Sequence, residues 1–158
     1  MIKGHNCVVR YADGRIEKGT TADFLPNRPI FHLLPLRGDN PIVVHRNSLK
    51  AVFFVKDFRG RPDLVELRGF LNSPMDNNQG RKVAVRFKDG EEIFGYTMTW
   101  SQGREAFFVN PADHRSNNVR IFVITDATEK IAVGAAADAM AESKLAAAPH
   151  KTRSAVVR

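Results

Sequence analysis

The chain has 158 residues, of which 43% are hydrophobic and 26% are charged, and its formal net charge is +7. These proportions are ordinary for a globular protein and exclude an intrinsically disordered chain. No apolar run approaches the ~20 residues that a membrane-spanning helix needs, and the N-terminus lacks the apolar core of a signal peptide, so we expect a cytoplasmic protein without a membrane span. Cys7 is the single cysteine, which excludes an internal disulfide and a cysteine-based metal cluster.

A repeated sequence pattern divides the chain. Residues 9–14 return as residues 85–90, and a three-residue insertion in the second copy shifts the later match to residues 42–44 and 121–123. A nearly fixed displacement indicates that each copy is one supersecondary unit. We therefore predict a first repeat, a connector, a second repeat, and an Ala-rich, basic tail that forms a short helix or is disordered. Their boundaries are residues 5–56, 57–80, 81–133 and 134–158.

Each repeat is predicted to contain five short strands. The pair Asp13-Gly14 marks a tight two-residue hairpin turn, and Gly19 marks a bend at which a Cβ would obstruct the chain. Five strands separated by Gly, Pro and Asn turns within about fifty residues are typical of a strongly bent small barrel. The predicted strands are residues 7–11, 15–21, 30–34, 42–45 and 49–55, then 83–87, 92–100, 106–110, 120–124 and 130–133.

The predicted fold is therefore all-β, a tandem repeat of two small SH3-like or Sm-like five-stranded β-barrels. Residues 49–55 are apolar on both faces of their predicted strand. An exposed strand of this kind would invite aggregation, so we expect it to form the contact between the two repeats.

No sequence motif for catalysis or for metal or cofactor binding is present. The five histidines are separated, and the HExxH, GxSxG, Walker and GxGxxG patterns are missing. We therefore assign no catalytic, cofactor-binding or metal-ligating residue, predict no cofactor, and expect a protein that is not an enzyme.

The strongest polar pattern is the segment that contains the insertion of the second repeat. Its candidate residues for binding an anion or a partner are Arg115, Ser116, Asn117, Asn118 and Arg120. Guanidinium groups and backbone amides suit phosphate or carboxylate. The alternative is a structural loop in which the two asparagines adopt turn or left-handed conformations and bind their own backbone.

A second candidate pair is Arg28 and Arg104, which recur at the same point of the two repeats. Their recurrence indicates either a repeated contact with a partner or guanidinium groups packed over the rings of Phe24 and Trp100. The sequence favours the packing interpretation and leaves the binding interpretation open.

The first repeat resembles the Sm-like barrels that bind RNA. In the Sm pattern an Asp and an Asn four residues apart precede the third strand, and an Arg-Gly pair follows the fourth. Asp23 and Asn27 keep the first spacing, and Arg46-Asn47 stands in the place of Arg-Gly. The second repeat lacks both elements. The resemblance implies nucleic-acid contacts at these four residues of the first repeat.

Residues 5–133 resemble an uncharacterised bacterial domain family with three recurring phrases. These phrases are DG-x4-G-x-T, LKAVFFV-x-DF and PAD-x2-SNN-x-R-[IV]-FV, and the chain carries them at residues 13–21, 49–58 and 111–123. The family is associated with bacterial signalling and with surface-motility or secretion contexts. The resemblance implies a regulatory or adaptor role and defines no functional residues.

The sequence therefore predicts a non-enzymatic binding or adaptor protein that recognises a protein or an anionic ligand. A mildly basic surface is compatible with several acidic partners. The first alternative is an Sm-like RNA-binding protein, and the second is a sensor of a nucleotide second messenger. A protein partner is favoured, nucleic acid is possible, and the oligomeric state is left open.

Overall fold

The computed structural model describes residues 4–59, 70, 80–113 and 115–146. Within them the chain forms ten strands and one α-helix, α1 (Ala135–Ala146). We call β1–β5 the first half and β6–β10 the second half. The first half contains β1 (His5–Tyr11), β2 (Ile16–Thr21), β3 (Ile30–Pro35), β4 (Ile42–His45) and β5 (Leu49–Val55). The second half contains β6 (Arg81–Phe87), β7 (Glu92–Thr97), β8 (Ala106–Pro111), β9 (Asn118–Ile124) and β10 (Thr128–Val133).

The predicted strands are all present, with differences at their ends. The largest is at β7, which ends at Thr97 and not at Trp100. The Thr97 hydroxyl accepts the backbone N–H of Thr99 at 3.3 Å, which bends the chain out of the ladder. Residues 60–69 and 71–79 of the predicted connector, residues 147–158 of the predicted tail, and His114 lie outside the described residues. No helix in the described part is long and apolar enough to span a bilayer.

The repeated Asp-Gly pair builds the first hairpin turn of each half. The Gly14 N–H donates to the carbonyl oxygen of Tyr11 at 3.1 Å, and the Gly90 N–H donates to that of Phe87 at 2.9 Å. Both glycines have positive φ, +99° and +95°. Each loop therefore has three residues, a type I turn followed by a left-handed glycine, and not the two residues predicted.

A second repeated glycine allows two strands to cross closely. A Cβ at Gly19 would lie 2.1 Å from the carbonyl oxygen of Leu34, and a Cβ at Gly95 would lie 2.1 Å from that of Asn110. No side chain fits at such distances, so each half needs glycine here for β2 and β7 to bend against the next strand. The predicted role of Gly19 is confirmed.

All ten strands belong to one antiparallel sheet with the order β10-β6-β7-β8-β9-β5-β1-β2-β3-β4. The last strand of each half pairs with the first, and the strand order within the two halves is the same. β5 joins the halves because it pairs with β1 on one side and with β9 on the other. The predicted contact through residues 49–55 is therefore confirmed. Closure of each half into a separate barrel stays a prediction.

The β5–β9 pair is a wall shared by two hydrophobic cores. Along β5, Val52 and Phe54 belong to the first-half core and Phe53 to the second-half core. Along β9, Phe122 belongs to the first-half core and Ile121 to the second-half core. Because successive side chains point to opposite faces of a strand, the two cores lie on opposite faces of this wall. Every residue of β5 is buried.

The helix α1 covers the outer side of the second half. Its Ala137 and Met140 pack with Ala84 of β6 and Ala132 of β10. Lys82 donates to the carboxylate of Asp138 at 2.9 Å, and this hydrogen bond raises the pKa of the lysine. The predicted short Ala-rich helix is thus present, and tertiary packing stabilises a segment that would be marginal alone.

Candidate functional site

A cleft of about 370 Å³ opens where the loops of the two halves meet. Its walls carry Asn27 and Arg46 from the first half and Thr99, Arg104 and Glu105 from the second. Its floor is made by Phe107, Phe108 and Phe122 of β8 and β9, of which Phe107 and Phe122 are buried and Phe108 is partly buried. The cleft is therefore a polar rim over an aromatic base, and residues of both halves line it.

Arg46 is held in the cleft by the turn after β4. Its backbone N–H donates to the carbonyl oxygen of Pro29 at 2.8 Å. Its guanidinium group donates to the carbonyl oxygen of Pro26 at 2.8 Å and to the carboxylate of Glu105 at 3.1 Å. The Glu105 side chain is 82% exposed. Arg46 is therefore oriented mainly by the fixed backbone of its own half, while Glu105 is a solvent-exposed partner that screening weakens.

Arg28 and Arg104 occupy matching turns but different surroundings. The Arg28 N–H donates to the carbonyl oxygen of Leu25, and the Arg104 N–H donates to that of Ser101, each at 3.1 Å. Both side chains are exposed, and only Arg104 lines the cleft. The cation over the Trp100 ring is Arg81, whose guanidinium carbon lies 5.6 Å from the ring centre.

The aromatic floor continues into a cluster at the junction of the halves. The ring centres of Phe108 and Phe122 are 4.9 Å apart, and Phe24 of the first half lies 5.0 Å from Phe122. The Arg120 guanidinium stacks over Phe108 at 4.4 Å and over Phe54 at 5.2 Å. Arg120 therefore helps to pack β9 against β5, beside the cleft and not on its rim.

The segment that contains the insertion is internally bonded. Arg115 makes a bidentate pair with Asp113, with nitrogen to oxygen distances of 3.0 and 2.8 Å. Ser116 is buried, and its hydroxyl accepts the N–H of Asn118 at 3.0 Å. The Asn117 amide donates to the carbonyl oxygen of Asp57 at 2.9 Å. This last bond joins the segment to the chain that follows β5.

The two asparagines do not adopt the left-handed conformation considered for them. Every residue with positive φ in the described part of the chain is glycine. Asn117 binds the backbone of Asp57 and not its own, because the segment runs beside the end of β5. Arg115, Ser116 and Asn117 thus lie together in one loop that leads into Asn118, the first residue of β9, and none of these four residues lines the cleft.

The residues implied by the Sm resemblance divide between two roles. The carboxylate of Asp23 accepts the backbone N–H of His32 at 2.9 Å and contacts its Nδ1 at 2.6 Å. Partial burial acts to raise the pKa of Asp23, but these bonds outweigh it and lower the pKa. In the second half the hydroxyl of Thr99 accepts the N–H of Phe108 at 2.9 Å. Asp23 and Thr99 therefore brace the same loop in both halves.

Asn27 and Arg46 line the cleft, and Asn47 is exposed in the 3-10 turn Arg46–Ser48. The structure therefore brings together two residues from the Sm hypothesis with Arg104 from the repeated arginine pair. Sequence reasoning missed Glu105 and Thr99. The available signal is their position in the sequence. Glu105 directly follows Arg104, and Thr99 is at the position of the second repeat that corresponds to Asp23.

The described residues contain no group of three His, Cys, Asp or Glu side chains placed to hold a metal ion. The cleft instead offers guanidinium, amide and hydroxyl groups, which suit a ligand that accepts hydrogen bonds.

Comparison with known proteins places the chain in a family. No curated protein and no solved structure shows significant similarity to it. A family described as of unknown function matches residues 3–135, which include all ten strands. The chain therefore belongs to the family of unknown function DUF6982.

Proposed function

We propose that this protein is a non-enzymatic binding module that holds an acidic segment of a partner protein in the cleft between its halves. One observation carries the proposal: Arg46 of the first half and Arg104 of the second line the same cleft above an aromatic floor. A binding surface at the junction of two repeats would give the duplication a purpose that neither copy could serve alone.

The chemistry of the rim suits a carboxylate. Arg46 is already oriented by the carbonyl oxygen of Pro26, so binding costs little of its conformational entropy. Glu105 is the only acidic side chain lining the cleft in the described part of the chain, and its exposed carboxylate can yield its place on Arg46 to that of a ligand. Arg104 adds a second cation, and bidentate guanidinium–carboxylate pairs are among the stronger hydrogen-bonded contacts.

The size of the cleft favours a protein side chain over a large free ligand. Its volume of about 370 Å³ is at the lower end of the range of roughly 300–1,000 Å³ for small-molecule sites. A side chain with its flanking backbone fits such a space, and the rest of a partner would lie across the surface.

The proposal also takes each half as a small SH3-like barrel of five strands. The identical strand order of the halves and the presence of two distinct hydrophobic cores, on opposite faces of the β5–β9 wall, support this. The cleft would then be the space left between two barrels that share the β5–β9 wall.

The decisive comparison is between Arg104→Glu and the matched control Arg28→Glu, which reverses the equivalent exposed arginine outside the cleft. The tagged wild-type chain and both variants would be used for affinity purification from the native cell, with quantitative mass spectrometry of bound proteins. We expect partners that are retained by the wild type and by Arg28→Glu and lost with Arg104→Glu. Equal recovery by all three chains would refute the cleft as the binding site.

The two rival functions give different results. Co-purifying nucleic acid, with gel-shift affinity that falls steeply between about 50 and 200 mM salt, would favour the Sm-like alternative. Heat released by a cyclic dinucleotide in calorimetry, and lost with Arg115→Ala and Arg120→Ala, would favour the second-messenger sensor.

A further inference from the structure

The edge strand β4 and the face beside it form an uncovered apolar surface. Within the described residues β4 pairs only with β3. Side chains of β3 and β4 that share the outward face include Ile30, Leu34 and Val43, which are 37%, 44% and 49% exposed. His32 lies between them as the cross-strand partner of Val43. Isolated exposed apolar residues are common, but three on one face beside an open edge are not. We call this surface the β4 edge.

The second half shows what covers the equivalent surface. There Phe108 pairs with Phe122 across β8 and β9, as His32 pairs with Val43 across β3 and β4. Phe122 is only 1% exposed, because it packs into the first-half core. The edge of β9 that corresponds to the open edge of β4 pairs with β5.

The strand that covers this surface in the second half is β5, which carries aromatic side chains. β5 is apolar except for Lys50, and its Phe54 lies with Phe24 in the cluster that covers Phe122. The same sheet surface therefore appears twice in this molecule, once covered by an extended strand that carries aromatic side chains and once open.

We propose that the β4 edge is the docking site for an extended, apolar strand of a partner protein with acidic residues beyond its end. This inference rests on the proposed function, since the same partner would reach the cleft. The partner strand would pair with β4 as β5 pairs with β9, and would cover Val43 as Phe24 and Phe54 cover Phe122. Addition of a strand to an open sheet edge is a common mode of peptide recognition.

The acidic end of the partner follows from continuity between the edge and the cleft. Arg46 directly follows His45, the last residue of β4, and it lines the cleft. A strand that runs along β4 therefore has its end beside a guanidinium group. The net charge of +7 adds a general attraction for acidic segments.

A second copy of this chain fits the β4 edge less well. The strand equivalent to β5 in the second half is β10, the other end of the sheet. Ala132 of β10 is at the position that corresponds to Phe53 of β5. Phe53 packs into the core of the adjoining half, so a second copy that paired with β10 would have to pack against the face that carries Ala132. That face is occupied by Ala137 and Met140 of α1. The helix closes one end of the sheet and leaves the other open, as terminal capping units do in repeat proteins.

A peptide that copies residues 49–55, with two aspartates added at each end, is the probe. We would titrate it into the isotopically labelled full chain and follow amide NMR shifts. We expect saturable binding with the largest shifts in β3, β4 and the turn at Arg46. Val43→Lys should weaken binding about tenfold or more. The control Val119→Lys changes another valine that is 54% exposed and should alter affinity by less than about twofold.

Three results would overturn the inference. One is absence of any shift at millimolar peptide, and another is a set of shifts confined to other strands. The third is self-association of the free chain in analytical ultracentrifugation that Val43→Lys abolishes, which would make a second copy the occupant. The inference and the proposed function fail separately: loss of native partners with Arg104→Glu but not with Val43→Lys would keep the cleft and reject the β4 edge.

Discussion

Lys50 of β5 donates a hydrogen bond to the carboxylate of Asp89, 2.7 Å away in the first hairpin turn of the second half. Its ammonium group also binds the Glu91 carboxylate and lies 4.8 Å from the centre of the Phe87 ring. The Lys50 side chain is only 7% exposed. Residues of the second half thus bury the ammonium group of Lys50, which belongs to the first half. Ion pairs therefore join the two halves in addition to the β5–β9 ladder.

Replacement Lys50→Met should lower the free energy of unfolding by about 3 kcal/mol, because the nearly buried Glu91 carboxylate then loses the opposite charge beside it. Urea denaturation monitored by tryptophan fluorescence would measure the change. The double variant with Glu91→Gln should recover part of the loss, because it removes one of the negative charges that Lys50 balances. Equal stability of the single variant and the wild type would show that the ion cluster contributes nothing.

Replacement Gly95→Ala should destabilise the protein by more than about 2 kcal/mol, because its Cβ would overlap a fixed backbone carbonyl. The control is Gly38→Ala, whose Cβ would meet only the Pro35 side chain at 4.0 Å. We expect the control to unfold within about 0.5 kcal/mol of the wild type. A tolerated Gly95→Ala would mean that β7 and β8 can separate without cost.

Truncation Phe54→Ala should cost about 3–5 kcal/mol, the usual range for a buried phenylalanine. Because β5 belongs to both cores, the loss should lower the melting temperature of the whole sheet. Amide NMR signals from β6 to β10 should therefore disappear in the same thermal transition as those from β1 to β5. Two separate transitions would contradict the shared wall.

Asp23 should make acid stability depend on pH in a defined direction. Burial opposes the shift, but hydrogen bonds from His32 hold the pKa of Asp23 below its usual value. A carboxyl with a lower pKa in the folded state stabilises the fold above its unfolded pKa, and this contribution is lost as the pH falls through the folded pKa. The stability difference between wild type and Asp23→Asn should therefore shrink as the pH falls below about 4. Asp39→Asn is the control, and a pH-independent difference for Asp23→Asn would contradict this account.

Cys7 should be unreactive in the native protein. Its side chain is fully buried in the first-half core, and burial raises the pKa of the thiol to about 12. Since the thiolate is the reactive form, a disulfide reagent at pH 8 should modify the protein only as it unfolds. The reaction rate in increasing urea then reports opening of the first half. Rapid modification without denaturant would show that β1 is accessible in the native state.

Much of the local structure could be predicted from the sequence, because hairpins and strand bends follow from short-range chemistry. The Asp13-Gly14 turn and the five strands of each half depend on residues within a few positions. Gly19 marks its bend in the same way, although the carbonyl that it approaches belongs to Leu34 of the next strand. The pairing of β5 with β9 could only be anticipated as a contact. An apolar run shows that both faces are buried, but it does not identify the strand that covers them.

The cleft was less accessible to sequence reasoning. The sequence does not link Arg46 to Arg104, because 58 positions separate them and they come to line one cleft only through the pairing of β5 with β9. The pairing of Arg115 with Asp113 was also unforeseen, although these residues are only two positions apart. Whether two side chains of one loop bind each other or remain solvated depends on the three-dimensional geometry of the loop, which its composition does not specify.

The shared wall has a consequence during protein synthesis. The first-half core includes Phe122 of β9, and β5 pairs with β9 through contacts such as Ala51 with Val123. At roughly 5–20 residues per second, the ribosome needs several seconds to extend the chain from one strand to the other. Throughout that interval β5 has its partner β1 but lacks its second partner, β9. The first half of the nascent chain therefore cannot complete its hydrophobic core until β9 has been synthesised.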